Sequence, residues 1–262
     1  MLLTLSARSV APLLSGAKPS LNLFSLPRLA AQEFELRGLT VQTQFLAGIP
    51  MPEIERLRDQ ADKVGCPWLT VIEEKAHDPG TKNDDTAAKS LDRVTKVLRV
   101  AQKLGCSSVA IALHLPTDPA AVDRAAERVK RFLSSAEKLE LNLLLMPAEG
   151  DRIQPEQLTN LIRKVGGFRM GALPDFQSAS ESESPGDYLR ALTPYASTVT
   201  AVALGFNKKG QHTGFDAGVC LDAVKAVGFE GSLSLEYRGS GDPIESLMAT
   251  RALYAPIVEE PE

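Results

Sequence analysis

The segment ADKVGCPWLTVI, residues 61–72, joins the end of one helix to a buried strand, and its pattern recurs along the chain. Lysine in the last turn favours the negative end of a helix, and the glycine after it adopts the left-handed conformation that ends the helix. The apolar run that follows is typical of a strand covered on both faces. Related segments are AQKLGCSSVAIAL (101–113), IRKVGGFRMGAL (162–173) and VKAVGFEGSLSLE (224–236), together with AEKLELNLLLM (136–146), which lacks the glycine. The repeat predicts helix–strand units of a parallel sheet.

Three further apolar runs, at 21–24, 39–42 and 199–204, bring the predicted strands to eight. The predicted helices cover residues 27–35, 52–64, 84–104, 117–139, 155–165, 185–193, 214–227 and 243–254. Eight strands alternating with eight helices have the size and order of a single-domain α/β fold, the (β/α)8 TIM barrel. A doubly wound open sheet is the alternative. No GxGxxG or GxxxxGK[ST] motif follows a predicted strand to support it.

The two ends of the chain are predicted to lie outside the barrel. We expect an N-terminal arm at residues 1–18, the barrel at 19–258 and a C-terminal tail at 259–262. Residues 1–32 contain no acid, and Glu33 is the first. A targeting segment is therefore an alternative for the arm, although no charged stretch precedes a clean apolar one.

The composition argues against several classes of protein. A net charge of −4 and 5% aromatic residues disfavour nucleic-acid binding, which needs clustered cations or stacking platforms. The three cysteines are widely spaced and form no CxxC pair, which argues against a disulfide framework or a thiolate zinc site. Apolar runs reach about six residues, far short of the ~20 that span a bilayer. We expect a cytoplasmic protein with no nucleic-acid or membrane partner.

Chemistry in a TIM barrel takes place where the strands end. Because side chains alternate along a strand, the sequence predicts which of them point inward. Glu74 is predicted to point inward after the third strand, although a slip of one residue would exchange it with Glu73. The predicted polar mouth suits a polyhydroxylated ligand and consists of Gln42, Gln44, Glu74, His114, Asp175 and Glu236.

Three segments resemble the xylose isomerase-like TIM barrels of the sugar phosphate isomerase/epimerase superfamily. They are IRKVGGFRMGALPDF (162–176), HTGFD (212–216) and GFEGSLSLEYRGSGDP (228–243), within a likeness that runs from about residue 21 to 253. The most specific feature is the glutamate that ends the eighth strand, here Glu236, followed by Asp175 after the sixth. The resemblance implies proton transfer between neighbouring carbons of a small sugar or sugar phosphate.

The resemblance also implies a divalent metal, Mn²⁺, Mg²⁺ or Zn²⁺, in the barrel mouth. The family holds it with Glu, Asp, His and Glu on strands five to eight. Asp175 and Glu236 stand at two of these positions, but Met146 replaces the strand-five Glu and Thr200 or Val202 replaces the His. A thioether in place of a carboxylate removes a hard oxygen ligand, which weakens a magnesium or manganese site. The metal-ligand set is thus degraded.

The leading prediction is an isomerase or epimerase-like enzyme. Glu236 and His114 are its predicted catalytic residues, and Glu74, Asp175 and Glu236 are its predicted metal ligands. A rebuilt metal site that also includes His114 is an alternative. The predicted substrate-binding residues are Gln42, Gln44, His114, His212 and Arg238.

The competing prediction is a barrel that has lost catalysis and binds a carbohydrate or serves as a scaffold. Met146 and the missing strand-seven histidine favour it. Structural roles are also predicted as alternatives: Asp175 as the cap of a turn, and Glu236 as the partner of Arg238 or Arg169. Exposed helical faces of such barrels often form dimers, so a homodimer is a candidate assembly.

Overall fold

Eight parallel strands surround the centre of the structure, a computed structural model that describes residues 1–15 and 18–258. The predicted tail at 259–262 lies outside the described residues. The strands are β1 Leu2–Ser6, β2 Leu39–Gln42, β3 Trp68–His77, β4 Ser108–Leu113, β5 Asn142–Pro147, β6 Met170–Ala172, β7 Thr198–Ala203 and β8 Ser232–Tyr237.

The strands curl into a barrel in the order β6-β5-β4-β3-β2-β1-β8-β7. Two parallel bridges, Ala172 with Ala196 and Asp175 with Thr200, link the β6 and β7 edges and complete the circle. The prediction of a single-domain (β/α)8 barrel is confirmed, and the doubly wound open sheet is excluded.

Helices cover the outside of the barrel. They are α1 Ala11–Leu14, α2 Leu26–Glu33, α3 Met51–Val64, α4 Asp84–Leu104, α5 Pro119–Glu137, α6 Pro155–Val165, α7 Phe176–Ser180, α8 Pro185–Leu192, α9 Ala217–Ala226 and α10 Pro243–Val258. Gly65 and Gly105, which end α3 and α4, have φ of 72° and 84°, as the repeated segment predicts. Across residues 1–15 and 18–258, no helix is both long and apolar enough to cross a bilayer.

The first strand is not where the sequence predicted it. Residues 21–24 contain no strand, and β1 lies instead in the region predicted to be an arm. It pairs with β8 and β2 on its two sides, with Leu5 opposite both Leu235 and Leu39. Leu3 and Leu5 pack toward the helices, whereas the alternating Thr4 and Ser6 belong to the polar interior. The alternation of apolar and polar residues over 3–6 is typical of a strand. The absence of Asp and Glu from residues 1–32 had favoured an arm or a targeting segment there instead.

The barrel interior has an apolar half and a polar half. On the side of β3 to β6 a small apolar cluster contains Ile72, Ala110, Leu144 and Leu173, with Met146 packed against it. On the side of β1, β2, β7 and β8 most of the buried inward residues are polar, among them Thr4, Ser6, Thr40, Gln42, Thr200, Ser234 and Glu236. The hydroxyls of Thr40 and Ser234 lie 3.0 Å apart and form a hydrogen bond. This polar half makes the burial of a carboxylate at the end of β8 possible.

Candidate functional site at the barrel mouth

A cavity of about 110 Å³ opens at the carboxyl ends of the strands. Its charged side chains lie in β3 or follow β1, β5, β6 and β8, and they are Arg8, Glu74, Glu149, Asp151, Arg152, Asp175, Glu181 and Arg238. Met146, Ile153 and Leu173 supply an apolar wall, while Gln177, Ser178 and Ser182 add neutral polar groups. The cavity thus lies where barrel enzymes bind their substrates.

Arg238, one residue past β8, joins the two carboxylates that the family resemblance singled out. Its Nη2 lies 2.5 Å from Asp175 Oδ2, and its Nε lies 2.6 Å from Glu236 Oε1. Its Nη1 donates to Gln177 Oε1 at 2.9 Å. Burial alone would lower the pKa of Arg238, but Asp175 and Glu236 raise it well above the usual arginine value. The guanidinium is therefore permanently charged and held on three sides.

Glu236 lies beneath the cavity and is only 1% exposed. Its Oε2 accepts a hydrogen bond of 2.6 Å from Ser6 Oγ, and Arg8 Nε lies 3.8 Å from its Oε1. Burial raises the pKa of this carboxyl, but Arg238, the Ser6 hydrogen bond and Arg8 together bring the pKa below its ordinary value. Glu236 is an ionised, fully engaged carboxylate, and it is absent from the residues that line the cavity.

Asp175 has a structural task beside its pairing with Arg238. It is the N-cap of α7, where its Oδ1 accepts the backbone N–H of Ser178 at 2.9 Å. The predicted alternative of a capping aspartate is therefore confirmed. Since Oδ2 is bonded to Arg238, both oxygens of this carboxylate are occupied.

Arg8 and Glu74 form the second charged pair of the mouth. Arg8 Nη1 donates to Glu74 Oε1 at 2.6 Å, and its Nη2 lies 3.3 Å from Glu149 Oε1. Burial, together with Glu236 and Glu149, raises the pKa of Glu74 above its ordinary value, against the opposing effect of Arg8 and Arg238. Glu74 is partly exposed and lines the cavity. Glu73, the alternative in the predicted register, faces the helices instead and pairs with Arg93 of α4.

Several predicted binding residues lie away from the cavity lining. The side chain of His114 is 56% exposed, and its Nδ1 lies 2.9 Å from Asp151 Oδ2. Gln42 is buried and donates to Ser6 Oγ, whereas Gln44 lies exposed in a short 3₁₀ helix.

His212 is occupied within the loop that follows β7. Its Nε2 accepts the backbone N–H of Leu204, and its Nδ1 lies 3.1 Å from the carbonyl oxygen of Phe215, to which it donates. This loop borders a separate groove beside α10. The ring therefore organises its own loop, and burial lowers its pKa.

The residues at the mouth do not fit a divalent metal. Both oxygens of Asp175 and of Glu236 are engaged by Arg238, Ser6 or the α7 backbone. In the described part of the chain, no three His, Cys, Asp or Glu side chains form a group that could hold a metal. In this structure the three predicted ligands Glu74, Asp175 and Glu236 are instead paired with the guanidinium groups of Arg8 and Arg238. His114, added in the rebuilt version, is paired with Asp151 instead.

Arg8, Ser6 and Gln177 are site residues that the sequence reasoning missed. Arg8 and Ser6 were assigned to the arm, so their place beside β8 was hidden. Gln177 follows Asp175 by two residues and reaches the same guanidinium, but nothing in the sequence distinguishes it from other loop glutamines. Arg238, by contrast, was predicted both as a binding residue and as the partner of Glu236, and its ion pair with Glu236 is confirmed.

The comparisons with known proteins agree with the fold. No curated protein gives a match to the sequence. Among solved structures, an L-ribulose 3-epimerase is 15% identical with a TM-score of 0.79, covering 99% of this chain and 95% of that one. A D-psicose 3-epimerase with D-tagatose from Clostridium cellulolyticum H10 is 14% identical with a TM-score of 0.76, covering all of both chains.

A third solved structure, the IOLI protein with a binding zinc atom, is 11% identical with a TM-score of 0.76 and covers 98% of both chains. At such identities the likeness shows the fold alone. The sequence itself matches the model of the family described as "Xylose isomerase-like TIM barrel" over residues 29–254. This match spans most of the chain, and the protein therefore belongs to the xylose isomerase-like TIM barrel family.

Proposed function

We propose that this protein binds a small neutral sugar, or a related polyhydroxylated compound, in the cavity at the barrel mouth and does so without a divalent metal. The composition of the cavity carries the proposal. A sugar presents hydroxyls around its edge and C–H groups on its face. Gln177, Ser178 and Ser182 offer hydrogen bonds for the hydroxyls, while Met146 and Leu173 offer an apolar surface for the face.

The metal-dependent proton transfer expected from the family resemblance has little support in this geometry. Glu236, its predicted catalytic residue, lies below the cavity and is bonded to Arg238 and Ser6. The structural neighbours that are named as epimerases, one of them with D-tagatose, support a sugar as the class of ligand. They support no particular reaction at this site.

Calorimetric titration with D-tagatose, D-fructose and a panel of neutral aldoses tests the proposal. Ile153→Trp, which enlarges a side chain in the cavity wall, is expected to weaken binding at least about tenfold through overpacking. Gln44→Trp, on an exposed residue outside the lining, is the matched control and should bind like the wild type. If none of these sugars binds, or if Ile153→Trp has no effect, the proposal is wrong and the scaffold role gains support.

A second candidate function is metal-free proton transfer by Glu74, favoured by its position as a partly exposed carboxylate in the cavity wall. Glu74 would take a proton from the carbon beside a ketose carbonyl, and Arg8, 2.6 Å away, would stabilise the negative oxygen that develops. Return of the proton to the former carbonyl carbon, while the hydroxyl proton on the deprotonated carbon passes to the former carbonyl oxygen, completes an isomerisation of ketose to aldose without a further reactant.

Deuterium exchange distinguishes this second candidate from binding alone. In D₂O an active protein incorporates deuterium at the exchanging carbon of the ketose, which NMR detects without knowledge of the product. Glu74→Gln should abolish the exchange, and Glu149→Gln, on the exposed neighbour, should retain it. A wild-type protein that binds ketoses but exchanges no C–H proton would contradict catalysis and leave the binding function intact.

A further inference from the structure

Three charged groups at the ends of β6 and β8 are arranged as a cation between two anions. Asp175 and Glu236 lie on different strand ends, and the only described side chain bonded to both carboxylates is Arg238. The guanidinium uses Nε for Glu236 and its two Nη atoms for Asp175. Gln177 contributes a neutral oxygen to the same guanidinium. Three side chains thus direct oxygen atoms at one positive centre.

Such an arrangement needs a cation in order to persist. Two carboxylates so little exposed repel each other, and at neutral pH one of them takes up a proton unless a positive charge lies between them. In metal-binding proteins with this kind of oxygen set, a divalent ion supplies that charge. Here the charge is carried by a side chain of the chain itself.

We propose that the guanidinium of Arg238 is the resident cation of this site and takes the place of a divalent metal between Asp175 and Glu236. In the same way Arg8 supplies the positive charge beside Glu74, with its Nη1 at 2.6 Å from Glu74 Oε1. The proposal explains why the family fold tolerates Met146 on β5 and Thr200 on β7. Because the guanidinium is covalently part of the chain, it stays between the carboxylates without ligands from β5 and β7.

The proposal predicts that removal of Arg238 turns the site into one that binds divalent metal. In Arg238→Ala the oxygens of Asp175, Glu236 and Gln177 lose their cation, and hard oxygen donors of this kind suit Mn²⁺ with water completing its coordination. Titration with MnCl₂, followed by the electron paramagnetic resonance of free Mn²⁺, measures the affinity directly. We expect no specific binding by the wild type and a Kd of about 100 µM or tighter for Arg238→Ala.

Arg93→Ala is the matched control. Arg93 also pairs with a buried carboxylate, Glu73, through a distance of 2.5 Å. Among the described residues Arg93 is bonded to no second carboxylate, so the release of Glu73 should create no Mn²⁺ site. Asp175→Asn placed on Arg238→Ala should abolish the gained binding, which would locate the ion.

Two results would overturn the proposal. One is a folded Arg238→Ala protein with no more affinity for Mn²⁺ than the wild type. The other is a wild type that binds Mn²⁺ and loses it in Asp175→Asn, because a metal would then displace the guanidinium. If Arg238→Ala fails to fold in metal-free buffer, refolding is repeated with Mn²⁺ and, separately, with methylguanidinium. Recovery with these cations supports the proposal, and no recovery with either contradicts it. The proposal shares with the proposed function the absence of a divalent metal, but none of these measurements involves a sugar, and sugar binding is tested separately by the calorimetric titrations.

Discussion

Glu236 owes its ionised state to neighbours that come from opposite ends of the chain. Arg238 follows it on β8, while Ser6 and Arg8 belong to β1 and the turn after it. Each supplies positive charge or a hydrogen bond that offsets the unfavourable burial of the carboxylate. The side chain that the family resemblance identified as catalytic is therefore, in this protein, the centre of a structural charge network.

Glu236→Gln tests the stabilising part of this network. The substitution leaves Arg238 buried with one carboxylate in place of two, and we expect a loss of about 3 kcal/mol in the free energy of unfolding, typical of a broken buried ion pair. Urea denaturation measures it. Glu53→Gln, which removes one member of the solvent-accessible ion pair with Arg56, is the control and should change the free energy by less than about 0.5 kcal/mol. A loss as small as that of the control would contradict the account of Glu236.

β1 completes the barrel, and this gives a second prediction. Leu5 of β1 is fully buried between the sheet and the helices, whereas Leu2 on the same strand is 40% exposed. Leu5→Ala should cost about 2–5 kcal/mol, because it leaves a cavity in the outer core. Leu2→Ala should cost much less, and chemical denaturation compares the two. Equal, small losses would show that the strand contributes little to the fold.

The contact between β3 and α5 predicts a dependence of stability on pH. His77, at the end of β3, is buried beside Phe132 of α5, and its Nε2 has no hydrogen-bond partner among the described residues. Burial lowers its pKa from the ordinary 6.5, against the opposing charge of Glu73 and with smaller contributions from Arg93 and Lys75. The unfolded state therefore binds more protons as pH falls below 6.5, and stability decreases in that range.

His77→Gln should remove this contribution. Urea denaturation between pH 7.5 and 5.5 measures the slope, which for one histidine is at most about 1.4 kcal/mol per pH unit. We expect the variant to have a flatter profile than the wild type. An unchanged slope would show that His77 is not the group responsible.

The barrel itself was predictable because its helix–strand repeat is local. Lysine, glycine and the apolar run after them occur within a dozen residues, so α4 was predicted with the bounds that the structure has. β1 was not, because its pairing with β8 joins residues more than 220 positions apart and its short run carries no flanking helix signal.

For the site, the sequence predicted only which residues lie at the ends of the strands. Asp175 and Glu236 could be located from their place after β6 and β8, but the partners that occupy them could not. Arg8 reaches Glu74 and Glu236 only once β1 has closed the barrel, and sequence spacing gives no sign of it. For the same reason a metal site was expected where an arginine network stands.

The charge of the cavity as a whole predicts what it selects. Its lining contains five acidic residues, Glu74, Glu149, Asp151, Asp175 and Glu181, and three arginines, Arg8, Arg152 and Arg238. Two of the arginines are already paired with carboxylates. A sugar phosphate should therefore bind at least about tenfold more weakly than the matching neutral sugar, and the difference should shrink at high salt. Calorimetry on the two ligands checks this, and tighter binding of the phosphate would contradict it.

In this member of the family, side chains of the chain itself supply the positive charges at the barrel mouth. Arg238 and Arg8 hold the carboxylates, the polar half of the interior supports Glu236 from below, and the cavity above stays open to a small ligand. The central claim is that the positive charge between β6 and β8 belongs to Arg238.

A crystal structure of the wild-type protein grown with MnCl₂, with anomalous data that locate manganese, tests this claim most directly. The account predicts that the guanidinium of Arg238 bridges Asp175 and Glu236 and that no anomalous peak lies between them. A manganese ion ligated by these two carboxylates, with Arg238 turned away, would contradict it.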